Sequence, residues 1–418
     1  MLEFHKTFRR RFMYPIVFNL NESYVPYASV LMTSIIQNTN KDSNVAGGGG
    51  RAYNFHLLMD FVSQETKEKL QNLILELSKI YPCTLNIHIL EDDYFVAYSL
   101  KKHKGKYLAY YRLKIGSILP QSITKCVYLD VDMLVLGDLR ELFAVDLKGK
   151  ICGVVMEYNS QKIFKPKDKT YKTLDITGSY FNSGMLLVDL YLWRKEGIED
   201  KAFGFSKSYY YFLHDQDLLN LALYEKTYKI GMEWNFMVYV YYRAICADER
   251  GRRKLPYRRQ EFNYSLKNIK IMHYFAYSKP WEDSKIYLDY HNKFLGQYWW
   301  DMVEQTPIFK EELLEKKPQA DNALSFQCYL GYKLLRLYQK GLFLTIPFYT
   351  YFLIVKKDSM KIEEIPLQDY NLSREIGRIA FGAYGKRRRG KLISLPFRIL
   401  HTIKNFKKNQ ARIFKKDS

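Results

Sequence analysis

Apolar residues in the first three hundred positions come in short bunches divided by polar turns, and the spacing within the bunches alternates. Pro15-Ile16-Val17-Phe18 is a continuous apolar run that reads as a buried strand, followed by the polar loop Asn21-Glu22-Ser23-Tyr24. From Pro26 the spacing turns helical, with Tyr27, Val30, Leu31, Ser34 and Ile35 on one mostly apolar face. Gly47 to Gly50 form a flexible break. After it, residues 53–59 are strand-like, residues 67–80 helical, and Leu85, Ile87 and Ile89 alternate as a strand. This succession predicts an α/β fold with a mixed, mainly parallel sheet covered by helices.

The same reading makes residues 126–129 and 133–136 two further buried runs, interrupted by Asp130-Val131-Asp132. From about residue 301 the alternation is lost: residues 304–317 are charged and residues 329–354 are rich in Leu, Tyr and Phe. The predicted organisation is therefore one domain over residues 14–300, a helical accessory region over 301–385, and a basic amphipathic tail over 386–418. The longest apolar run, residues 342–355, contains Pro347 and is short for a spanning helix, so no transmembrane segment is expected. Residues 1–15 carry Arg9, Arg10 and Arg11 without an apolar core of signal-peptide length, so export is not expected either.

Composition adds a partner. With 418 residues, 47% hydrophobic, the chain buries a large core and is not disordered. A net charge of +21 calls for a polyanionic partner, and the location of the charge decides which. Residues 386–418 hold twelve Lys and Arg against Asp417 alone, interleaved with Leu, Ile and Phe. That pattern suits an anionic membrane surface, with cations at the headgroups and apolar side chains at the acyl boundary. A nucleic-acid-binding protein is the rival class, but no recognition motif appears and nucleic acid is not expected. Cys83, Cys126, Cys152, Cys246 and Cys328 are widely spaced and odd in number, which fits a reducing compartment.

Four stretches carry candidate chemistry. Asp130-Val131-Asp132 sets two carboxylates at a strand end, where ligands of open α/β sheets bind, and can hold Mn²⁺ or Mg²⁺ beside a nucleotide diphosphate. A second Asp-x-Asp, Asp215-Gln216-Asp217, precedes a helical run, so Asp215 also reads as a helix cap. His273 follows the strand-like residues 269–272 and can complete a metal site, although a lone histidine is more often structural, while Lys279 can pair with a phosphate. Tyr180-Phe181-Asn182-Ser183-Gly184 is a polar stretch that turn chemistry alone explains.

Taken in order, these stretches are more specific. Ile16-Val17-Phe18 with the Asn21 loop, Tyr111-Arg112-Leu113, Val127-Tyr128-Leu129-Asp130-Val131-Asp132, Phe181-Asn182-Ser183-Gly184, His214-Asp215-Gln216-Asp217, Trp234-Asn235-Phe236 and His273 to Trp281 together resemble glycosyltransferase family 8. This retaining family includes bacterial lipooligosaccharide galactosyltransferases, lipopolysaccharide glucosyltransferases and glycogenin. The resemblance runs from about Ile16 to Trp281 and implies a GT-A type domain using a UDP-sugar donor and a saccharide acceptor.

By that resemblance Asp130, Asp132 and His273 ligate the metal, Asn21, Ser23, Tyr24, Asp130 and Val131 meet the nucleotide, and Lys279 meets the diphosphate. Arg112 and Asn182 contact the donor sugar, Ser183 is a further donor-binding residue, and Asp215 and Gln216 lie beside the anomeric carbon. The chain departs from the family pattern at Asn21, where Asp is usual, at Ser23, often Asn, and at Ala276, usually Gly. The implied setting is cytoplasmic, peripheral on the inner face of a bacterial inner membrane, with a lipid-linked saccharide as acceptor. A non-catalytic protein that binds sugar nucleotides is the alternative within the same fold.

Overall fold

The computed structural model describes residues 13–41, 51–98, 100–103, 105–157, 162–238, 240, 257–276, 278–283, 285–318, 322–356 and 364–414. Gly47 to Gly50, Cys246 and the arginines at 9–11 lie outside the described residues. Two compact units divide the chain. The first comprises Met1–Phe236, Arg253–His273 and Met302–Leu313; the second comprises Met237–Arg252, Tyr274–Asp301 and Leu314–Ser418.

The first unit is built on a seven-stranded sheet. Its strands run, edge to edge, Thr227–Lys229, Cys152–Met156, Phe181–Asp189, Lys125–Leu129, Met13–Asn19, Ala52–Met59 and Cys83–Ile89. All neighbours pair in parallel except those flanking Phe181–Asp189, which is antiparallel to both. Central strands are covered on both faces, so Ile16, Val17 and Phe18 are all fully buried and the run is continuous rather than alternating. The edge strand Cys83–Ile89 is partly exposed and alternates only as far as Ile87; Ile89, expected on the same face as Leu85 and Ile87, is 52% exposed at the sheet edge.

Local signals set the helices. Ser63 accepts from the Thr66 amide at 3.2 Å and starts the helix at Gln64, before the predicted residue 67. That helix, Gln64–Ser78, buries Leu70, Leu73 and Leu77 in one stripe. The helix Val25–Gln37 is buried almost all round, not along one face as its spacing predicts, because it is enclosed by the unit.

His56 in Ala52–Met59 is 1% exposed, with Nδ1 2.9 Å from Nε2 of His88 on the next strand. Burial, and then the charge of His88, push its pKa down to about 4. The native state thus favours neutral imidazole, and the stability this gives is present above the unfolded value near 6.5. It is lost as pH falls through 6.5 towards 4, by about 3 kcal/mol in all. His56→Leu should therefore flatten the acid limb of a melting-temperature profile over that window; an unchanged slope would contradict this.

The second unit is helical. Residues 274–301 belong to it, which replaces the single cut expected near residue 300. The reason is packing: Leu288, Cys328 and Tyr370 form a core cluster with Phe294 and Ile365 against it. Asn371 bonds both the amide and the carbonyl of Leu288, at 2.9 and 2.8 Å, and Arg374 pairs with Asp283 at 2.6 Å.

The tail also differs from a free amphipathic strip. Its helix Leu395–Phe414 buries Leu395, Ile399, Ile403 and Phe406 within the unit, and Arg398, Lys404, Lys407 and Lys408 remain exposed. Most of the apolar stripe expected at an acyl boundary therefore serves the unit's own core. Among the described residues, no helix is long and apolar enough to cross a membrane. Cys83, Cys126, Cys152 and Cys328 are buried free thiols.

Candidate active site

The site lies at the carboxyl edge of the parallel strands. Ile16 pairs with Val127 and Val17 with Tyr128 in parallel register, so the loop after Asn19 and the turn after Leu129 emerge at the same edge. The turn carries Asp130, the buried Val131 and Asp132. In the loop, Asn21 accepts from the Ser23 hydroxyl at 2.8 Å, and the Tyr24 ring stands 5.3 Å from that of Tyr27.

His273 ends the strand Ile271–His273, which pairs antiparallel with Met133–Val135 and so returns the imidazole to the Asp130-Asp132 turn. Ligand atoms of Asp130, Asp132 and His273 lie within 4.8 Å of one another, and Nε2 of His273 is 3.2 Å from Asp132 Oδ1. The tautomer follows from the next neighbour. Asn235 donates its amide nitrogen to Asn182 Oδ1 at 2.9 Å, which turns its own oxygen towards His273 Nδ1 at 2.8 Å. Nδ1 is then the hydrogen-bond donor to Asn235, which fixes the ring with Nε2 on the carboxylates' side, as in metal-ligating histidines.

Two carboxylates and one imidazole suit a divalent cation of the Mn²⁺ or Mg²⁺ kind. Gly184 leaves the room: a Cβ there would stand 2.6 Å from His273 Cε1 and 2.9 Å from Asp130 Oδ2. Asn235→Ala should cost about ten- to a hundredfold in metal affinity, because it frees the imidazole to rotate and change tautomer. Calorimetric Mn²⁺ titration of the folded variant checks this, and unaltered affinity would contradict it.

The expected polar turn at 180–184 is instead, from Phe181 on, part of the strand Phe181–Asp189. Its partner Cys152–Met156 slips register at Val154/Val155, so Val154 faces Leu186 while Val155 faces Asn182. The irregularity leaves Ser183 and Gly184 out of that ladder and aims them into the site. Polar residues in mid-sheet read as a turn from composition alone. Here they are satisfied by side chains brought from elsewhere in the chain.

Arg112 is the main one. The residue is 8% exposed, and its guanidinium lies 2.8 Å from Asp130 and 3.1 Å from Asp215 and donates to the Ser183 carbonyl at 3.0 Å. Burial opposes the charge, but the two carboxylates outweigh it and raise the pKa above the ordinary arginine value. Asp215 is also buried, which lifts its carboxyl pKa; Arg112 pulls the other way and Asp130 adds to the rise.

Asp215 does not cap its helix. It sits in the first turn of His214–Ala222, and its carboxylate accepts from the Ser183 hydroxyl at 3.0 Å. The helix start is held by Asp217, which accepts from the amides of Phe212 and Leu213 at 2.7 and 3.0 Å. Gln216 is fixed at both ends, its oxygen 3.1 Å from the Ser183 amide and its nitrogen donating to Tyr180 Oη at 3.0 Å. Tyr180 in turn donates to Asp217 at 2.6 Å, and Lys162 pairs with Asp217 at 2.8 Å.

Several participants had no role in the site assigned from the sequence. Glu157 accepts from Asn182 Nδ2 at 3.0 Å, and Tyr128 donates to Asp130 at 2.8 Å. Glu157 follows the buried strand Cys152–Met156, so the strand-end rule that singles out Asp130 applies to it as well. Lys162 carries no such signal, and Tyr180, Asn235 and Gly184 lie in stretches that the sequence singles out, but their partners are distant in sequence, so their roles were not legible. Lys279 falls in the second unit, half-buried, with its ammonium 5.8 Å from the Trp281 ring centre. Ala276, where the family pattern has Gly, adopts φ of 55°, the left-handed backbone that glycine favours.

Several known proteins are similar to this chain. General stress protein A of Bacillus subtilis is 24% identical over 70% of this chain and 96% of its own length. A lipopolysaccharide 1,2-glucosyltransferase of Escherichia coli is 22% identical over 72% of this chain and 84% of its own. Among solved structures, the galactosyltransferase LgtC in complex with donor and acceptor sugar analogues superposes with a TM-score of 0.52. It is 20% identical, covering 72% of this chain and 99% of LgtC. The WbbM bifunctional glycosyltransferase gives 0.56 at 19% identity, over 75% of this chain and 52% of its own. At these identities the likeness is one of fold, the GT-A fold of glycosyltransferases. The pattern of glycosyl transferase family 8 matches residues 15–285, a span that contains Asp130, Asp132, Asn182, Asp215 and His273 with the sheet that positions them, and the chain belongs to that family.

Proposed function

We propose that the protein is a retaining hexosyltransferase that moves galactose or glucose from a UDP-sugar to a lipid-linked saccharide. In this reading Mn²⁺ or Mg²⁺ is held by Asp130, Asp132 and His273. The observation that carries the reading is one hydrogen-bonded network. It runs from His273 through Asn235 and Asn182 to Gln216, Ser183 and Asp215, and so joins a cation site to a cluster of groups suited to a sugar. The bound ion would supply charge to offset that building on the departing diphosphate. Asn21, Ser23, Tyr24 and Val131 are assigned to the nucleoside, Lys279 to the diphosphate, and Arg112, Asn182 and Ser183 to the donor sugar. A lipopolysaccharide 1,2-glucosyltransferase and a 1,3-galactosyltransferase among the relatives favour a role in lipopolysaccharide or lipooligosaccharide synthesis.

Retention needs either a covalent sugar-enzyme species or attack on the face that the nucleotide leaves. Gln216 offers an amide, a poor nucleophile, and its oxygen is held by the Ser183 amide. Asp215 is ion-paired to Arg112, which weakens it as a nucleophile. Both features favour front-face transfer, in which the leaving phosphate oxygen takes the acceptor's proton. Arg112, Asp215 and Gln216 then orient the sugar and stabilise positive charge at its anomeric carbon.

Gln216→Ala should lower kcat by about one to three orders of magnitude with little change in donor KM, as for a group acting chiefly in the transition state. An unchanged kcat would remove Gln216 from the mechanism. The exposed cations of the tail would hold the enzyme on the anionic inner face of the membrane.

A further inference from the structure

The helix Ile346–Val355, with the turn Phe343–Thr345 before it, has no polar side. Its sequence IPFYTYFLIV contains no charge, and only Ile346, Thr350 and Leu353 are turned into the unit. Leu344 and Phe348 are 71% and 76% exposed, and Tyr351, Phe352 and Val355 are exposed beside them. The helix Leu395–Phe414 packs on this one, and near its start Ile393 and Phe397 are 77% and 63% exposed. A surface helix ordinarily shows water a polar face. A contiguous apolar patch left exposed marks an interaction site.

Charge identifies the occupant. From Asn322 to Lys356 the chain has no Asp or Glu, and from Lys386 to Lys416 it again has none. Lys340 and Lys356 stand exposed at the two ends of the apolar segment, with the Lys356 ammonium 5.0 Å from the Phe352 ring centre. Arg387 lies 4.4 Å over the Tyr384 ring, itself 5.9 Å from that of Tyr351, which brings the basic turn to the same helix. A second copy meeting this face would set like charges together, whereas an anionic lipid surface pairs with them. Ten residues of helix span about 15 Å, half the hydrocarbon thickness, so the segment lies in the interface and does not cross.

We propose that Ile346–Val355 and the turn before it insert into the headgroup and acyl boundary of an anionic bilayer, while the surrounding cations hold the headgroups. This rests on the reading that the enzyme works at a membrane, and makes this helix, more than the tail, the apolar part of the anchor. The test uses the full chain with vesicles of phosphatidylethanolamine and phosphatidylglycerol, and of phosphatidylcholine alone, at low and high salt.

Wild type should float with the anionic vesicles and keep part of its binding at high salt. Leu344→Asp and Phe348→Asp should each lower partitioning at least about tenfold and abolish the salt-resistant part, with Phe348→Ser as a milder control for folding. Lys404→Glu with Lys407→Glu should lower only the low-salt binding. Sugar-nucleotide hydrolysis, measured on every variant, separates loss of the anchor from loss of the catalytic reading. Folded Asp variants that float like wild type at both salts would overturn the proposal, as would a wild type that binds no vesicle. A dimer that these substitutions dissociate, with vesicle binding unaltered, would assign the face to a second copy instead.

Discussion

Asp132→Asn is expected to lower metal-dependent turnover by about two to four orders of magnitude while leaving the melting temperature in chelator nearly unchanged. The substitution keeps shape and removes one unit of ligand charge at a position whose carboxylate is 3.2 Å from His273 Nε2. A ligand ion opposing charge on a leaving diphosphate contributes several kcal/mol to the transition state, and each 1.4 kcal/mol is a factor of ten. Turnover in stopped assays across a Mn²⁺ series measures it. Full activity in the variant, or wild-type activity surviving excess chelator, would remove the metal from the account.

The second large effect belongs to Arg112. Arg112→Ala should inactivate the enzyme and destabilise the first unit by about 3 kcal/mol, because the carboxylates of Asp130 and Asp215 lose the charge that compensates them. Arg112→Lys should recover stability better than activity. One ammonium cannot reach Asp130, Asp215 and the Ser183 carbonyl together as the guanidinium fork does. Thermal melts in chelator, paired with turnover, distinguish these outcomes; an alanine variant as stable as wild type would contradict the ion-pair argument.

The strands and helices of the first unit were legible because burial on both faces leaves unbroken apolar runs, as at Ile16-Val17-Phe18, and cap residues such as Ser63 mark helix starts. The strand end carrying Asp130 was legible for the same reason. Two things were not. Asn182, Ser183 and Gly184 are polar residues in the middle of a sheet, and only the partners Arg112, Asp215 and Asn235, far away in sequence, make that position tenable. Residues 274–301 join the second unit through Leu288, Asp283 and their contacts with residues 370–374, which no local pattern records. The tail helix was legible only in part. Its amphipathic spacing is real, but such a stripe fits a protein core as well as a lipid surface, and Ile399, Ile403 and Phe406 pack into the core.

The central claim, metal-dependent retaining transfer from a sugar nucleotide, is tested most directly by proton NMR of the first sugar released when the protein slowly hydrolyses UDP-α-galactose or UDP-α-glucose with Mn²⁺. The account predicts that hydrolysis depends on the metal and that the α-anomer appears first, mutarotating only later. Release of the β-anomer first, or release unaffected by chelator, would contradict it.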